Sequence, residues 1–327
     1  MLLLLATLLG FAGAWYWLID LFAHFRVQYA LLILPVVALA ALARAWRAVV
    51  LCAFALALNA IAIGPLYVVP TPTAADDPAI PIFKLVAINV RRKNREFSAV
   101  AEYLRREQAD LVLIEEVDDA WLAAMQAQLS EYRLEVGQGR DDNFGIALLV
   151  RTASEDTGGL QLESAEIVDI ANGDAREVDS IVARGTWHGR SFSLLGMHTI
   201  PPQASRHAAT RDAHLAAAAG WSIDEQSRGN AVIIAGDLNA TPWSHAFRRL
   251  CREGNLLNSQ RGFGVQPTYH RNYAGVRGIP IDHCLHSAGL RTVQRTVDSS
   301  DLGSDHRPIA VTLQWLRKES PLRVDAN

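Results

Sequence analysis

The chain has 327 residues, half of them hydrophobic, and a formal net charge of −3 at pH 7. This length allows one large domain together with an additional segment. With the one Asp and three Arg of the first 70 residues set aside, 28 basic and 33 acidic residues remain, a balance of −5. This balance argues against a protein that binds polyanions by net charge alone.

The amino-terminal region is almost entirely apolar. Its only charged side chains, up to about residue 70, are Asp20, Arg26, Arg44 and Arg47. They leave three apolar stretches, at about 2–23, 28–43 and 48–69, and a membrane-spanning helix needs about 20 such residues. The pattern predicts three transmembrane helices over residues 1–70. It disfavours a cleaved signal peptide, because no basic residues precede the apolar run and the run continues past its small residues.

Basic residues predict the orientation of these helices. Arg44 and Arg47 lie between the second and third stretches, and such a loop should face the cytoplasm. The segment 71–81 contains two Asp and no basic residue, and we expect an extracytoplasmic linker there. Three crossings would place the amino terminus inside and the chain beyond residue 75 outside. Arg26 opposes this orientation, since it would fall in an outside loop.

Residues 82–316 alternate short β-rich runs with helical segments. Strands are predicted at 82–90, 110–116, 144–151, 180–187, 191–199, 231–236, 280–287, 290–297 and 307–315, and helices at 97–107, 118–129 and 204–223. This is too much β-structure for one doubly wound sheet, so two packed sheets with helices outside fit better. The charged tail, 317–327, is expected to be flexible.

Polar residues cluster where the predicted strands end. They are Asn89, Glu115, Glu116, His198, Asp237, Asn239, Asp282, His283, Ser304, Asp305 and His306. Any one of them alone is more often a cap or a turn residue than a catalytic group. Their recurrence at successive strand ends, always as carboxylate, amide, hydroxyl or imidazole, favours a common site.

The chemistry of these residue types points to a hard divalent cation. Mg²⁺ takes oxygen ligands and can polarise a phosphoryl oxygen. Imidazoles beside carboxylates supply groups for proton transfer. No His and Cys cluster with zinc spacing is present, and Cys251 and Cys284 are expected to be structural thiols, although one bridge between them is an alternative.

The ordered motifs LVAINV, LVLIEEVD, MHT, IIAGDLNATP, PTY, IDH and GSDHRP resemble the endonuclease/exonuclease/phosphatase superfamily over residues 82–316. That superfamily includes pancreatic-type DNases, abasic-site endonucleases, neutral sphingomyelinases and inositol-phosphate 5-phosphatases. The resemblance implies a four-layer α/β sandwich (αββα) with two packed mixed β-sheets. The chain is most similar in its overall organisation to membrane-tethered bacterial members. The resemblance therefore implies a multi-pass protein of the bacterial inner (cytoplasmic) membrane.

The resemblance also implies roles for individual residues. Three of them match the metal-binding positions, for Mg²⁺ or Mn²⁺: Asn89, Glu116 and Asp305. Asp237 and Asn239 match the pair that orients the attacking water and the phosphate, and β alternation puts both on one side of the loop. Asp282 would hold His306, which would touch the scissile phosphate.

Two sequence features distinguish the branches of the superfamily. His198, a catalytic and substrate-binding position by resemblance, is a His in the DNase, sphingomyelinase and 5-phosphatase branches and generally a Tyr in abasic-site enzymes. The PAWCDR motif of the 5-phosphatases is absent. Glu115 stands where many members have Gln, and it is the alternative metal ligand if the register of the Glu pair is shifted by one.

The prediction is a membrane-tethered, divalent-metal-dependent phosphodiester hydrolase with no obligate protein partner evident. Its substrate is left open between a lipid head group, as in sphingomyelinases, and extracytoplasmic nucleic acid. A non-catalytic scaffold is least favoured, because every expected catalytic position is filled. The basic and aromatic loop 269–278 is either a clamp for a phosphate backbone or a solvated loop.

Overall fold

The computed structural model describes residues 1–69, 80–156, 159–171, 178–270 and 278–316. Most of the predicted linker 71–81, and the whole predicted tail 317–327, lie outside the described residues.

The amino-terminal region folds as a short helix followed by a helical hairpin. Its elements are α1 (Leu2–Leu9), α2 (Trp17–Asp20), a 3₁₀ turn (Leu21–Phe25), α3 (Arg26–Leu42), α4 (Trp46–Ile63) and a second 3₁₀ turn (Gly64–Tyr67). Among the described residues, two continuous helical segments, Trp17–Leu42 and Trp46–Tyr67, are long and apolar enough to cross a membrane.

The prediction of a third spanning helix over 2–23 is wrong. Helix α1 ends at Leu9, and the chain turns back so that Gly13 lies against Asp20. A Cβ atom at Gly13 would clash with the Asp20 side chain, so this close approach requires glycine. Small residues thus break the apolar stretch that composition alone extends to residue 23.

Arg26 lies inside the helical cluster and not in a loop. Its guanidinium donates to the Thr7 carbonyl oxygen at 2.8 Å and lies 3.8 Å over the Phe11 ring. Asn59 donates to the Thr7 hydroxyl at 2.9 Å. Because a buried cation needs such partners, Arg26 ties α1 to α3 and α4.

The rest of the described chain forms two six-stranded sheets with helices between some strands. Its elements are β1 (Ile82–Asn89), α5 (Phe97–Glu107), β2 (Leu111–Glu115), α6 (Asp119–Gln128), β3 (Tyr132–Gln138), β4 (Ile146–Arg151), α7 (Thr152–Asp156), β5 (Leu160–Val168), β6 (Ser180–Trp187), β7 (Arg190–Met197), α8 (Ser205–Ser227), β8 (Ala231–Asp237), α9 (His245–Glu253), β9 (Leu256–Asn258), β10 (Asp282–Ser287), β11 (Leu290–Val297) and β12 (Ile309–Trp315).

The strand orders are β11-β12-β1-β2-β4-β3 and β5-β6-β7-β8-β10-β9. Each sheet contains one parallel pair, β1 with β2 and β7 with β8, joined by the crossover helices α5 and α8. The remaining neighbours pair antiparallel, so both sheets are mixed, as predicted. Strands β3, β5 and β9 were not predicted, and all three lie at sheet edges.

Three apolar layers hold this part together. One core lies between the sheets and includes Leu85, Leu113 and Ile233. A second lies between the first sheet and α5 and α6, and a third between the second sheet and α8 and α9. The result is a helix–sheet–sheet–helix sandwich, and the prediction of two packed sheets with outer helices is confirmed. All three cysteines are free, so Cys251 and Cys284 form no bridge.

Candidate active site

Polar side chains at one edge of the sandwich continue the inward-facing rows of the strands. Alternate residues of a strand face the same side, and on β1 the inward row is Phe83, Leu85 and Ala87. The next member of that row is Asn89. The same alternation ends the inward rows of the other strands at this edge with Glu115, His198, Asp237 and Asp282.

The topology explains why these rows converge. The parallel pairs β1–β2 and β7–β8 end at this edge, and antiparallel β10 begins there. Asn89 lies beside Glu115 in one sheet, and Asp237 lies beside Asp282 in the other. Each inward row therefore ends in a polar residue that sits over the core between the two sheets.

Glu115 forms the floor of the site. Its side chain is fully buried, and its carboxyl oxygens accept from the Asp237 backbone N–H at 2.9 and 3.1 Å. Burial, and then the neighbouring Asp237 and Asp282 carboxylates, raise the pKa of Glu115 well above its usual value. Glu115 is therefore a buried carboxyl group that links the first sheet to the second.

Gly236 is required by the approach of Glu115. Its φ of +128° is unfavourable for other residues. A Cβ atom there would clash with Glu115 Oε1 and with the Met197 carbonyl oxygen. The glycine of the GDLN motif is thus explained by the contact between the sheets beneath Asp237.

Asp282 and His306 form a buried ion pair at the centre of the site. His306 Nδ1 lies 3.0 and 3.1 Å from the two Asp282 carboxylate oxygens. Burial disfavours the imidazolium, but the Asp282 and Asp237 carboxylates outweigh it and raise the pKa of His306 to about 10. Burial likewise opposes ionisation of Asp282, but the imidazolium of His306 holds its pKa below the usual value.

Asp237 lies between two imidazoles. Its Oδ2 atom is 3.7 Å from His306 Nε2 and 3.5 Å from His198 Nε2. Burial raises the pKa of Asp237, while His306 opposes that shift. Burial also lowers the pKa of His198, so this second imidazole is neutral. The pair of imidazoles thus presents one charged and one neutral ring to the same carboxylate.

Asn239 completes the loop that follows β8. Its backbone N–H donates to Asp237 Oδ1 at 2.9 Å, and its side-chain amide donates to the Thr199 carbonyl oxygen at 2.8 Å. The residue has a φ of +46°, which asparagine tolerates better than most residues. These contacts orient the Asp237 carboxylate and tie the loop to the end of β7.

The predicted metal ligands lie in or beside the same cleft. Asn89 is fully buried and donates to Glu116 Oε1 at 3.0 Å. Glu116 and Asp305 both line the cleft, and the Arg91 Nε atom lies 3.9 Å from Asp305. Two carboxylates facing one cleft match the oxygen donors that Mg²⁺ and Mn²⁺ prefer, and Asn89 positions one of them.

A second cluster of possible metal ligands is less suited to a cation. Among the described residues, the ligand atoms of Asp237, Asp282 and His306 lie within 4.8 Å of one another. His306 Nδ1, however, is already hydrogen-bonded to the Asp282 carboxylate. This contact uses Asp282 and one ring nitrogen of His306, so the members of this cluster are already paired with one another.

The cleft has a volume of about 480 Å³ and receives residues from both ends of the chain. Tyr269 packs on His306, with ring centroids 4.9 Å apart, and most of the predicted clamp loop beyond residue 270 lies outside the described residues. Three cleft residues that were not predicted from the sequence come from the 3₁₀ turn before α3: Leu21, His24 and Phe25. A polar pair in an apolar stretch, Asp20 and His24, is the sequence feature that would have indicated them.

The structure thus brings all eight predicted site residues to one cleft or its immediate support. They are Asn89, Glu116, His198, Asp237, Asn239, Asp282, Asp305 and His306. Glu115, the alternative metal ligand, lies beneath the cleft and is committed to the Asp237 backbone.

Solved structures share this fold at low sequence identity. TDP2 from D. rerio, complexed with a single-stranded DNA product, matches with a TM-score of 0.55 and 16% identity, over 71% of this chain and 98% of that one. The human Nocturnin catalytic domain with bound sulfate has a TM-score of 0.59 and 15% identity, over 72% and 94%. An endonuclease/exonuclease/phosphatase family protein from Bacteroides thetaiotaomicron has a TM-score of 0.55 and 16% identity, over 73% and 99%.

No curated protein matches the chain. The family model described as the Endonuclease/Exonuclease/phosphatase family, in contrast, matches residues 86–306, from the end of β1 to His306 within the GSDHRP motif. The family consists of metal-dependent phosphoesterases. The chain belongs to the endonuclease/exonuclease/phosphatase family and is a metal-dependent phosphoric ester hydrolase.

Proposed function

We propose that the chain is a Mg²⁺- or Mn²⁺-dependent phosphodiester hydrolase that is anchored in the bacterial inner membrane with its cleft outside the cytoplasm. The observation that carries the catalytic part is the position of Asp237. Its carboxylate lies between His198 and His306, in the same cleft as the Glu116 and Asp305 carboxylates.

Asp237 has the properties of a group that orients and deprotonates water. Its pKa is raised by burial, and a base works best when its pKa lies close to the working pH. As water attacks, its oxygen bonds to phosphorus, its proton moves to Asp237 and the ester P–O bond breaks. The departing alkoxide leaves as an alcohol after it gains a proton.

His306 is suited to stabilising charge on the phosphate. It is an imidazolium whose Nδ1 is held by Asp282, which leaves Nε2 to face the cleft. Neutral His198 and the Asn239 side chain would orient the phosphate oxygens. A divalent cation bound by Glu116 and Asp305 would polarise the phosphoryl group and stabilise the leaving oxygen.

The helical hairpin supports membrane anchoring. Helices α3 and α4 are joined by a turn that carries Arg44, with Arg47 close by, and basic turns of this kind face the cytoplasm. The opposite end of the hairpin packs against the sandwich through a cluster of Ala23, Leu66 and Trp243. Two crossings would then place the amino terminus and the catalytic domain on the same, outer side.

A nuclease is the second candidate. Arg91 and Lys93 line the cleft beside Glu116, and basic side chains can hold a nucleic-acid backbone. TDP2 from D. rerio, which has the same fold, was solved with a single-stranded DNA product.

Metal removal and Asp237→Asn test the catalytic proposal. We expect a chelator to abolish hydrolysis of a short phosphodiester by the full chain, and added Mg²⁺ or Mn²⁺ to restore it. Asp237→Asn should lower kcat by about 10²–10⁴-fold, the usual contribution of a general base, with little change in the melting transition. Asp141→Asn, an exposed aspartate outside the cleft, is the control. Unfolding or normal turnover of Asp237→Asn would mean that GDLN is only a turn.

Glu115 and Glu116 should respond differently to the same substitution. Glu116→Gln removes a charged ligand and should raise the Mg²⁺ concentration for half-maximal activity by at least about tenfold, since even an outer-shell partner contributes that much. Glu115→Gln keeps the shape of the side chain and an oxygen that can accept from the Asp237 N–H, so its activity and melting temperature should stay close to wild type. Equal effects on Mg²⁺ dependence would show that the metal ligands are assigned wrongly.

Asp282 should act through His306. We therefore expect Asp282→Asn and His306→Ala to be non-additive in kcat/KM, with the double variant little worse than His306→Ala alone. The measurement is a double-mutant cycle with a short phosphodiester. Additive losses would show that Asp282 has an independent role.

Reporter fusions test the topology. Alkaline phosphatase, which is active outside the cytoplasm, should be active when it follows residue 75 and inactive when it follows residue 45. A reporter joined before residue 1 should also lie outside, because only α3 and α4 cross. A cytoplasmic signal at the amino terminus would restore three crossings, and a cytoplasmic signal at residue 75 would reverse the whole orientation.

A further inference from the structure

One wall of the catalytic cleft is built by the 3₁₀ turn Leu21–Phe25 of the amino-terminal region. Leu21, His24 and Phe25 belong to the 3₁₀ turn that precedes α3, and they line the same cleft as Asp237 and His306. Phe25 is 44% exposed, so its ring is available to a molecule in the cleft. The turn is therefore part of the site, and α3, which follows it directly, is a candidate membrane anchor.

Buried polar contacts hold this turn in place. Asp20 accepts from the His245 N–H at 2.6 Å, which puts a carboxylate at the amino terminus of α9, where anions are favoured. His24 Nδ1 accepts from the Thr241 N–H at 3.3 Å. Arg211 lies 3.6 Å from Asp20. All these partners belong to the loop that follows Asp237 or to the helices beside it, so the wall and the catalytic loop are fixed to each other.

The apolar surface of this wall continues into the helical hairpin. Beyond Phe25, the exposed apolar side chains of α3 include Leu31, Leu32, Leu34 and Leu39. Trp15 and Tyr16, just before α2, are also exposed, and such residues favour the membrane–water interface. The mouth of the cleft thus lies where the exposed apolar surface of the hairpin begins.

The lining of the cleft combines polar and apolar side chains. The polar ones include His198, Asp237 and His306, together with Arg91 and Lys93. The apolar ones are Leu21, Phe25, Pro201, Pro202, Ile279 and Ile281. A phosphodiester with a small polar alcohol would leave these apolar side chains uncovered, whereas a hydrocarbon group could pack against them.

We propose that the substrate is the phosphodiester of a membrane lipid, with its phosphate at Asp237 and His306 and its lipid portion against Leu21 and Phe25. This inference rests on the proposed phosphodiesterase function. Water supplies the oxygen of the new P–O bond, one ester P–O bond breaks, and the products are a phosphomonoester and an alcohol. The lipid portion would reach the cleft from the bilayer surface.

The test compares a lipid with a short soluble substrate, using the full chain in detergent micelles. The lipid is phosphatidylglycerol in the micelle, the short substrate is methyl p-nitrophenyl phosphate, and the third substrate is a single-stranded oligonucleotide. The variants are Leu21→Ala and Phe25→Ala. Their controls, Leu31→Ala and Phe54→Ala, remove exposed side chains of the same residue types from the hairpin that do not line the cleft.

We expect Phe25→Ala and Leu21→Ala to lower kcat/KM for phosphatidylglycerol by about tenfold or more, because loss of apolar pocket contacts has effects of that size. Hydrolysis of the short diester should stay within about twofold, and the controls should resemble wild type on both substrates.

Three results would overturn the lipid assignment while leaving the phosphodiesterase proposal intact. They are hydrolysis of the short diester but not of the lipid, equal losses on both substrates in the two variants, and preferred cleavage of the oligonucleotide. The last result would assign the cleft to nucleic acid. If none of the three substrates were hydrolysed in the presence of metal, the phosphodiesterase proposal itself would be overturned.

Discussion

The hydrogen bond between the buried Glu115 carboxyl and the Asp237 backbone N–H is the contact on which the candidate site depends. It joins the two sheets where their inward rows end, and it sets how closely β2 and β8 approach. Without it, the Asp237 N–H would be buried and unsatisfied, which costs about 1–3 kcal/mol. The contact also excludes any side chain at Gly236. The cleft therefore lies on a rigid floor, although Asp237 and Asn239 belong to a strand-end loop.

Much of this arrangement was predictable from the sequence, because strand alternation and motif order are local properties. An inward row that changes from apolar residues to Asp237 or Asn89 marks the end of a core. The edge strands β3, β5 and β9 were missed because one side or end of each is exposed and their sequences mix polar and apolar residues. The role of Glu115 was also beyond prediction, since its partner lies 122 residues away in the other sheet.

The charges of the site follow from which groups are paired. Burial alone raises the pKa of each of three neighbouring carboxyl groups, Glu115, Asp237 and Asp282. The imidazolium of His306 reverses this shift for Asp282, which it contacts directly, and opposes it for Asp237, which lies 3.7 Å away. For Glu115, burial outweighs the effect of His306, and the pKa stays well above its usual value. One histidine thus separates the pKa values of three neighbouring carboxyl groups, and such coupled groups titrate together.

Pairing of a buried carboxylate also explains Asp20. In the proposed membrane arrangement, this pairing determines how far the cleft lies from the membrane surface. An aspartate facing lipid is costly, but Asp20 instead accepts from the first N–H of α9 and lies near Arg211. In the proposed arrangement the turn Leu21–Phe25 would therefore lie with the catalytic domain, and the spanning part would begin with α3. That helix has 17 residues, or roughly 26 Å, close to the hydrocarbon thickness of a bilayer. Because no residues separate Phe25 from α3, the cleft would open at the membrane surface, and the flexibility of a linker would not affect that position.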